Sequence, residues 1–166
     1  MGFETGVRQG IADYSKAIQL APNDADAYVY RGYSWESKRE YDKAIADYSK
    51  AIQLHPNDAA AYVCRGYSWD SKREYDKAIA DYSKAIQLHP NDANAYFNRG
   101  NCWAKKTEYA KAITDFSEAI RLDPNNVEAY CNRGHCWRAK HDQEKANADF
   151  NEAIRLNPKL AVRFLN

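Results

Sequence analysis

No stretch of this 166-residue chain approaches the roughly 18 consecutive apolar residues that a membrane span needs. Neither sign of charge is in excess. The 24 Lys and Arg stand against 23 Asp and Glu, a net of +1, so nothing in the total draws the chain to nucleic acid or to a membrane surface. The opening MGFETGVRQG has neither the basic start nor the apolar stretch of a signal peptide, and Gly6 stands where N-myristoylation requires Ser or Thr. Cysteine is sparse: Cys64, Cys102, Cys131 and Cys136 are even in number, but the chain is neither short nor loop-rich, and they read as reduced thiols. The cytoplasm is the favoured compartment on these grounds, and no cofactor is expected.

What the chain does have is self-similarity. The stretch from Ala27, AYVYRGYSWESKREYDKAIADYSKAIQLHPND, returns 34 residues later from Ala61 with two changes, Tyr30 to Cys64 and Glu36 to Asp70. Looser copies begin near Ala93 and Val127. The boundaries read as a half-unit over 1–24, whole units over 25–58, 59–92, 93–126 and 127–160, and the start of another over 161–166. Beginning and ending in mid-unit is what an excised piece of a longer array would show.

Each unit reads as two helices. Asp24, Asp58, Asp92 and Asn126 stand where a side chain can cap the free amides of a first helix. Pro22, Pro56, Pro90, Pro124 and Pro158 close the second, because the residue before a proline is driven out of the helical region. Tyr62, Gly66 and Trp69 fall at i, i+4 and i+7 and share a face, as do Ala78, Tyr82 and Ala85. The Trp series (Trp35, Trp69, Trp103, Trp137) and the leading Tyr series (Tyr28, Tyr62, Tyr96, Tyr130) are expected to be largely buried between helices. A helix pair this short cannot bury its apolar face alone, so neighbouring pairs must stack. The fold class that follows is all-α: a right-handed superhelical solenoid of antiparallel helix pairs, with a concave and a convex side.

Period and pattern resemble the tetratricopeptide repeat (TPR): aromatic, Gly, aromatic, Ala, aromatic, Ala, Pro. In the second whole unit these are Tyr62, Gly66, Trp69, Ala78, Tyr82, Ala85 and Pro90, and the match runs through the chain. Two departures recur. The turn between helices, often Gly in that family, holds Arg39, Arg73, Thr107 and His141, and Arg31, Arg65, Arg99 and Arg133 replace a usual core Leu.

The resemblance implies that first helices line a concave groove that holds a partner. Projected onto this chain, the groove offers Tyr30, Tyr33 and Tyr67 toward its N-terminal half and Asn98, Asn101, Lys105, Asn132 and Arg138 toward its C-terminal half. Asn98, Asn132 and Asn166 recur at the repeat spacing and resemble the asparagine ladder of O-linked N-acetylglucosamine transferases, where amides grip a peptide main chain. The carboxylate clamp of heat-shock co-chaperones is not matched, since Val29, Val63, Phe97 and Cys131 occupy the place of its first Lys. The arginines each follow an acidic residue by 18 positions (Asp13, Asp47, Asp81, Asp115), and they are read as structural ion pairs joining one repeat to the next, with Asp149 left over. Cys131 and His135 lie one turn apart with Cys136 beside them, but no fourth ligand, orienting group or oxyanion site accompanies them, so neither a metal site nor catalysis is expected.

The function these features point to is a protein-interaction module that binds an extended peptide or partner segment. The alternatives are a structural solenoid that self-associates head to tail, through Ile11, Tyr14 and Ile18 at one end and Phe164 and Leu165 at the other, and an RNA-binding helical repeat. The near-neutral charge weighs against the last.

Overall fold

The computed structural model describes residues 2–160. Among them are nine α-helices and no strand: α1 Gly2–Leu20, α2 Ala25–Ser37, α3 Tyr41–Leu54, α4 Ala59–Ser71, α5 Tyr75–Leu88, α6 Ala93–Lys105, α7 Tyr109–Leu122, α8 Val127–Ala139 and α9 Gln143–Leu156, followed by a 3-10 turn at Pro158–Leu160. The chain divides after His89 into two compact units, one holding α1 to α5 and the other α6 to α9. Within each unit the architecture is a stack of antiparallel helix pairs, α2 on α3 and α4 on α5 in the first, α6 on α7 and α8 on α9 in the second. No described helix is long and apolar enough to cross a membrane. The ladder residue Asn166 and the C-terminal apolar pair Phe164 and Leu165 lie outside the described residues.

The helix ends form for identifiable reasons. Asp24, Asp58, Asp92 and Asn126 each accept a hydrogen bond from a first-turn amide of the helix that follows. At the other end of each first helix, two backbone bonds close a Schellman motif: in α4, Glu74 N–H donates to Trp69 O and Arg73 N–H to Asp70 O. That motif needs a left-handed residue, and Arg39, Arg73, Thr107 and His141 supply it at φ of 60°, 63°, 61° and 61°. A side chain there crowds its own carbonyl, which is why glycine is the usual occupant.

The core is built from small residues and buried rings. Ala44, Ala51, Ala78, Ala85, Ala112 and Ala119 are essentially inaccessible, as are Tyr48, Tyr82 and Phe116. Each ring lies on the glycine of its partner helix so closely that a Cβ on Gly32 would sit 2.6 Å from Tyr48, and one on Gly100 would sit 2.9 Å from Phe116. The Trp and leading Tyr residues are largely buried, as expected, though none is as inaccessible as the alanines. The reason is their place at the margin of the helix pair, where cations cover their outer faces. Lys43, Lys77, Lys111 and Lys145 each hold Nζ 4.5 Å from the ring of Trp35, Trp69, Trp103 or Trp137. Arg31, Arg65, Arg99 and Arg133 lie over Tyr28, Tyr62, Tyr96 and Tyr130 at 5.6–5.7 Å.

The ion pairs also depart from expectation. Arg31 pairs with Asp47, Arg65 with Asp81, Arg99 with Asp115 and Arg133 with Asp149, each two-pronged at 2.7–2.9 Å and each inside one repeat. Asp149 is therefore paired, and Asp13, expected to meet Arg31, instead accepts a bond from Gln9 on its own helix. The geometry follows from the ring on the glycine. Arg31 precedes Gly32 and Asp47 precedes Tyr48, so the contact that brings glycine and ring together brings guanidinium and carboxylate together as well. The third donor reaches the preceding repeat: Nη1 of Arg31, Arg65 and Arg133 bonds Oγ of Ser15, Ser49 and Ser117 at 2.9–3.2 Å. For Arg31, Arg65 and Arg99 the bond to Asp holds the guanidinium protonated beyond its ordinary range despite burial.

Two stability measurements test this account. Asp115→Ala should lower stability by about 3 kcal/mol, because it removes the carboxylate bonded to a mostly buried arginine, whereas Asp13→Ala on exposed α1 should stay within about 0.5 kcal/mol. Urea midpoints that ranked the two the other way would restore pairing across repeats. Arg73→Gly should raise stability by about 0.5–1 kcal/mol, the relief of left-handed strain offset partly by glycine's freer unfolded state. Arg73→Ala should give no such gain, and a gain there would assign the effect to charge.

Candidate functional site

The face formed by the first helices carries side chains that the core does not consume, and each unit presents its own. In the N-terminal unit, Tyr30 and Tyr33 on α2 and Tyr67 on α4 are 51%, 43% and 48% exposed. Tyr30 and Tyr33 are nevertheless held in place. Tyr30 stacks on Tyr14 of α1 at 5.4 Å and 21°. Tyr33 stands edge-on to buried Tyr48 at 5.8 Å and 80°, and its hydroxyl meets Cys64 Sγ at 2.9 Å. Tyr14 was not among the residues anticipated for this surface. It belongs to the half-unit, where it was read as part of an uncovered end, and the signal for its role is its place one 34-residue period before Tyr48.

Beneath these rings lies a carboxylate that ties three helices together. Glu36 of α2 accepts from Ser68 Oγ of α4 at 3.0 Å and from the Tyr48 hydroxyl of α3 at 3.4 Å. Burial raises its pKa above the usual carboxyl range, and the two hydrogen bonds only partly offset that. Burial likewise raises Tyr33, with the Cys64 bond adding to it, and pushes the Cys64 thiol up to about 11. Cys136 in the other unit is also pushed up to about 11 by burial. Both are protonated and poorly nucleophilic at neutral pH. All four cysteines are free of disulfides.

In the C-terminal unit the surface is built of amides. Asn98 and Asn101 on α6 and Asn132 on α8 are half-buried. Asn132 Nδ2 donates to Asn101 Oδ1 at 2.8 Å, so these two form a bridge between successive first helices. That bond leaves the carbonyl of Asn132 and the N–H groups of Asn101 unused by it, one acceptor and two donors. The bridge borders an open cleft of about 300 Å³ whose walls also include Lys105, Tyr109, His135 and Cys136. Arg138, anticipated as a contact in this region, lies 3.0 Å from Nδ1 of His135, a wall of that cleft, and 5.6 Å from the Phe150 ring. Tyr109 was not anticipated. It opens a second helix, and its signal is the recurrence Tyr41, Tyr75, Tyr109 with Gln143 in the last unit. Among the described residues, no three His, Cys, Asp or Glu side chains are grouped so as to hold a metal ion.

Tetratricopeptide-repeat models match residues 25–58, 93–126 and 127–160, and a further TPR-repeat model matches 71–107. The chain belongs to the tetratricopeptide repeat family. No curated protein is similar to it in sequence. Solved TPR structures are similar to it in fold. A MamA crystal structure shares 26% identity over 92% of this chain and 89% of that one, with a TM-score of 0.86. YrrB, described as a TPR protein with an unusual peptide-binding site, shares 25% identity over 96% of this chain and 83% of that one, with a TM-score of 0.82. MamA from Desulfovibrio magneticus RS-1, residue 41 to the end, has the same fold at 20% identity, covering 92% and 86% of the two chains with a TM-score of 0.87. TPR chains are interaction modules as a class, and this one carries the repeat that defines them.

The raised Glu36 pKa has a consequence for stability. Its contribution is fully present below the ordinary carboxyl value of 4.5 and is lost as pH rises through the folded-state value. Glu36→Gln keeps the acceptor for Ser68 and Tyr48 and removes the charge. The variant should melt higher than the parent at pH 7, with the difference shrinking toward pH 4. A parent that gained on the variant with rising pH would reverse the sign assigned to Glu36.

Proposed function

We propose that this TPR chain binds an extended peptide or partner segment on its first-helix face and acts as an interaction module, not as an enzyme. The Asn101–Asn132 bridge carries the reading. Two amides locked to one another offer donors and an acceptor in fixed positions beside an open cleft, which suits a peptide main chain whatever its side chains are. Asn98, one turn before Asn101 on α6, extends the row, and Lys105 at the end of that helix places a cation beside the cleft. The similarity to YrrB, whose description names a peptide-binding site, supports the same reading, as does the held-up pKa of the buried thiols against a nucleophilic role.

A random peptide library displayed against the immobilised chain provides ligands, and calorimetry compares the parent with the Asn98→Ala/Asn132→Ala double variant. Affinity for peptides seated in the C-terminal unit should fall about tenfold or more, with stability reduced by only about 1 kcal/mol for the lost amide bond. Selected peptides that bind the double variant as tightly as the parent would remove the amide row from the site.

A further inference from the structure

The N-terminal unit presents a different chemistry on the same kind of face, and the geometry points to a proline-rich segment in polyproline II conformation, flanked by basic residues, as its ligand. This inference rests on the peptide-binding reading above and names the ligand class for α1, α2 and α4.

Aromatic exposure is the first ground. Three rings about half out of the core on adjoining helices form a surface that a soluble domain normally covers or uses. Two of them are pre-ordered, Tyr30 by its stack on Tyr14 and Tyr33 by its edge contact with Tyr48 and its bond to Cys64. A ligand therefore finds ring faces that lose little freedom on contact. Aromatic-lined surfaces are the established means of recognising polyproline II segments, which are themselves pre-ordered.

Spacing is the second ground. Tyr33 and Tyr67 occupy the same place in consecutive repeats, and their helices α2 and α4 touch. Helices in contact lie about 8–10 Å apart. One turn of polyproline II, three residues at about 3.1 Å each, advances about 9.3 Å. Every third ligand residue thus meets an equivalent ring in the next repeat. The register ends in the other unit, where Asn101 and His135 stand at the corresponding positions.

Hydrogen bonding and charge agree with this. A proline-rich strand offers carbonyls and few N–H groups, so it needs donors, which the tyrosine hydroxyls are. Ser34 and Ser37 already donate to the backbone oxygens of Tyr30 and Tyr33. Beside the rings, Gly6, Gly10, Tyr14 and Tyr33 border an open cleft of about 480 Å³ between α1 and α2, wide enough to admit a prolyl ring. The charges projected onto this face include Asp26 and Glu36, while Arg31 and Arg65 are engaged by Asp47 and Asp81. Both bonds that Glu36 receives fall on Oε2. A basic flank complements that balance.

The test is calorimetric titration of the intact chain with a hexaproline peptide bearing an arginine pair at each end. Two control peptides replace the prolines by glycine and serine, or the arginines by glutamates. The proline–arginine peptide should bind at least about tenfold more tightly than either control, and Tyr67→Ala and Tyr30→Ala should each weaken it about tenfold with unchanged melting curves. Asn132→Ala should leave its affinity as it was. Equal binding of the glycine–serine peptide, or full affinity in both tyrosine variants, overturns the inference and leaves the general peptide-binding reading standing. So does a hexaproline peptide that fails while library-selected peptides bind. Failure of every peptide overturns both.

Discussion

In every repeat an aromatic ring of the second helix rests directly on a glycine of the first: Tyr48 on Gly32, Tyr82 on Gly66, Phe116 on Gly100 and Phe150 on Gly134. No other residue admits the ring at that distance, since a single added carbon would stand 2.6–2.9 Å from it. This approach sets how far apart the two helices of a pair lie, and other features inherit it. The alanines around the rings are buried because the helices are that close. The residue before each glycine is arginine and the residue before each ring is aspartate, so the ion pair is a by-product of the same meeting. The indoles, one turn beyond the glycine, are left at the margin and are finished by a lysine laid over them.

The surface that remains for function is set by what this packing leaves out. A first helix turns its glycine and arginine inward, which sends Tyr30, Tyr33 and Tyr67 outward in one unit and places the asparagines at the surface of the other. The same scaffold thus displays two chemistries: rings over a buried carboxylate, and amides beside a cation. The first offers apolar faces and charge, and the second offers hydrogen-bonding groups.

Much of this was legible in the chain itself. Caps, helix stops and the 34-residue period follow from residues whose preferences are local, and Arg39, Arg73, Thr107 and His141 marked themselves by standing where glycine is usual. The pairing of Arg31 was not legible, for a reason internal to repeats. An aspartate recurs both 16 residues after each arginine and 18 before it, and these sum to the period, so the pattern is the same whether the bond closes within a repeat or across two. Only the three-dimensional meeting of Gly32 with Tyr48 separates them. Periodicity assigns Trp35 to a face but says nothing of the lysine eight residues on that stands over it in place of protein core. The Asn101–Asn132 bridge joins residues 31 apart, off the period, and so left no mark in the repeat.

The division of labour at Arg31, Arg65 and Arg133 bears on how such a chain grows. The charged partner of each lies in its own repeat, and the bond across the joint is to a serine hydroxyl. A copied repeat therefore arrives with its charge already balanced and fits any neighbour that offers the hydroxyl, with no compensating change required elsewhere. Had the aspartate come from the preceding repeat, every insertion would have had to find a carboxylate at its new border. The stretches from Ala27 and Ala61, alike at all but two positions, are what duplication under so undemanding a joint would leave behind.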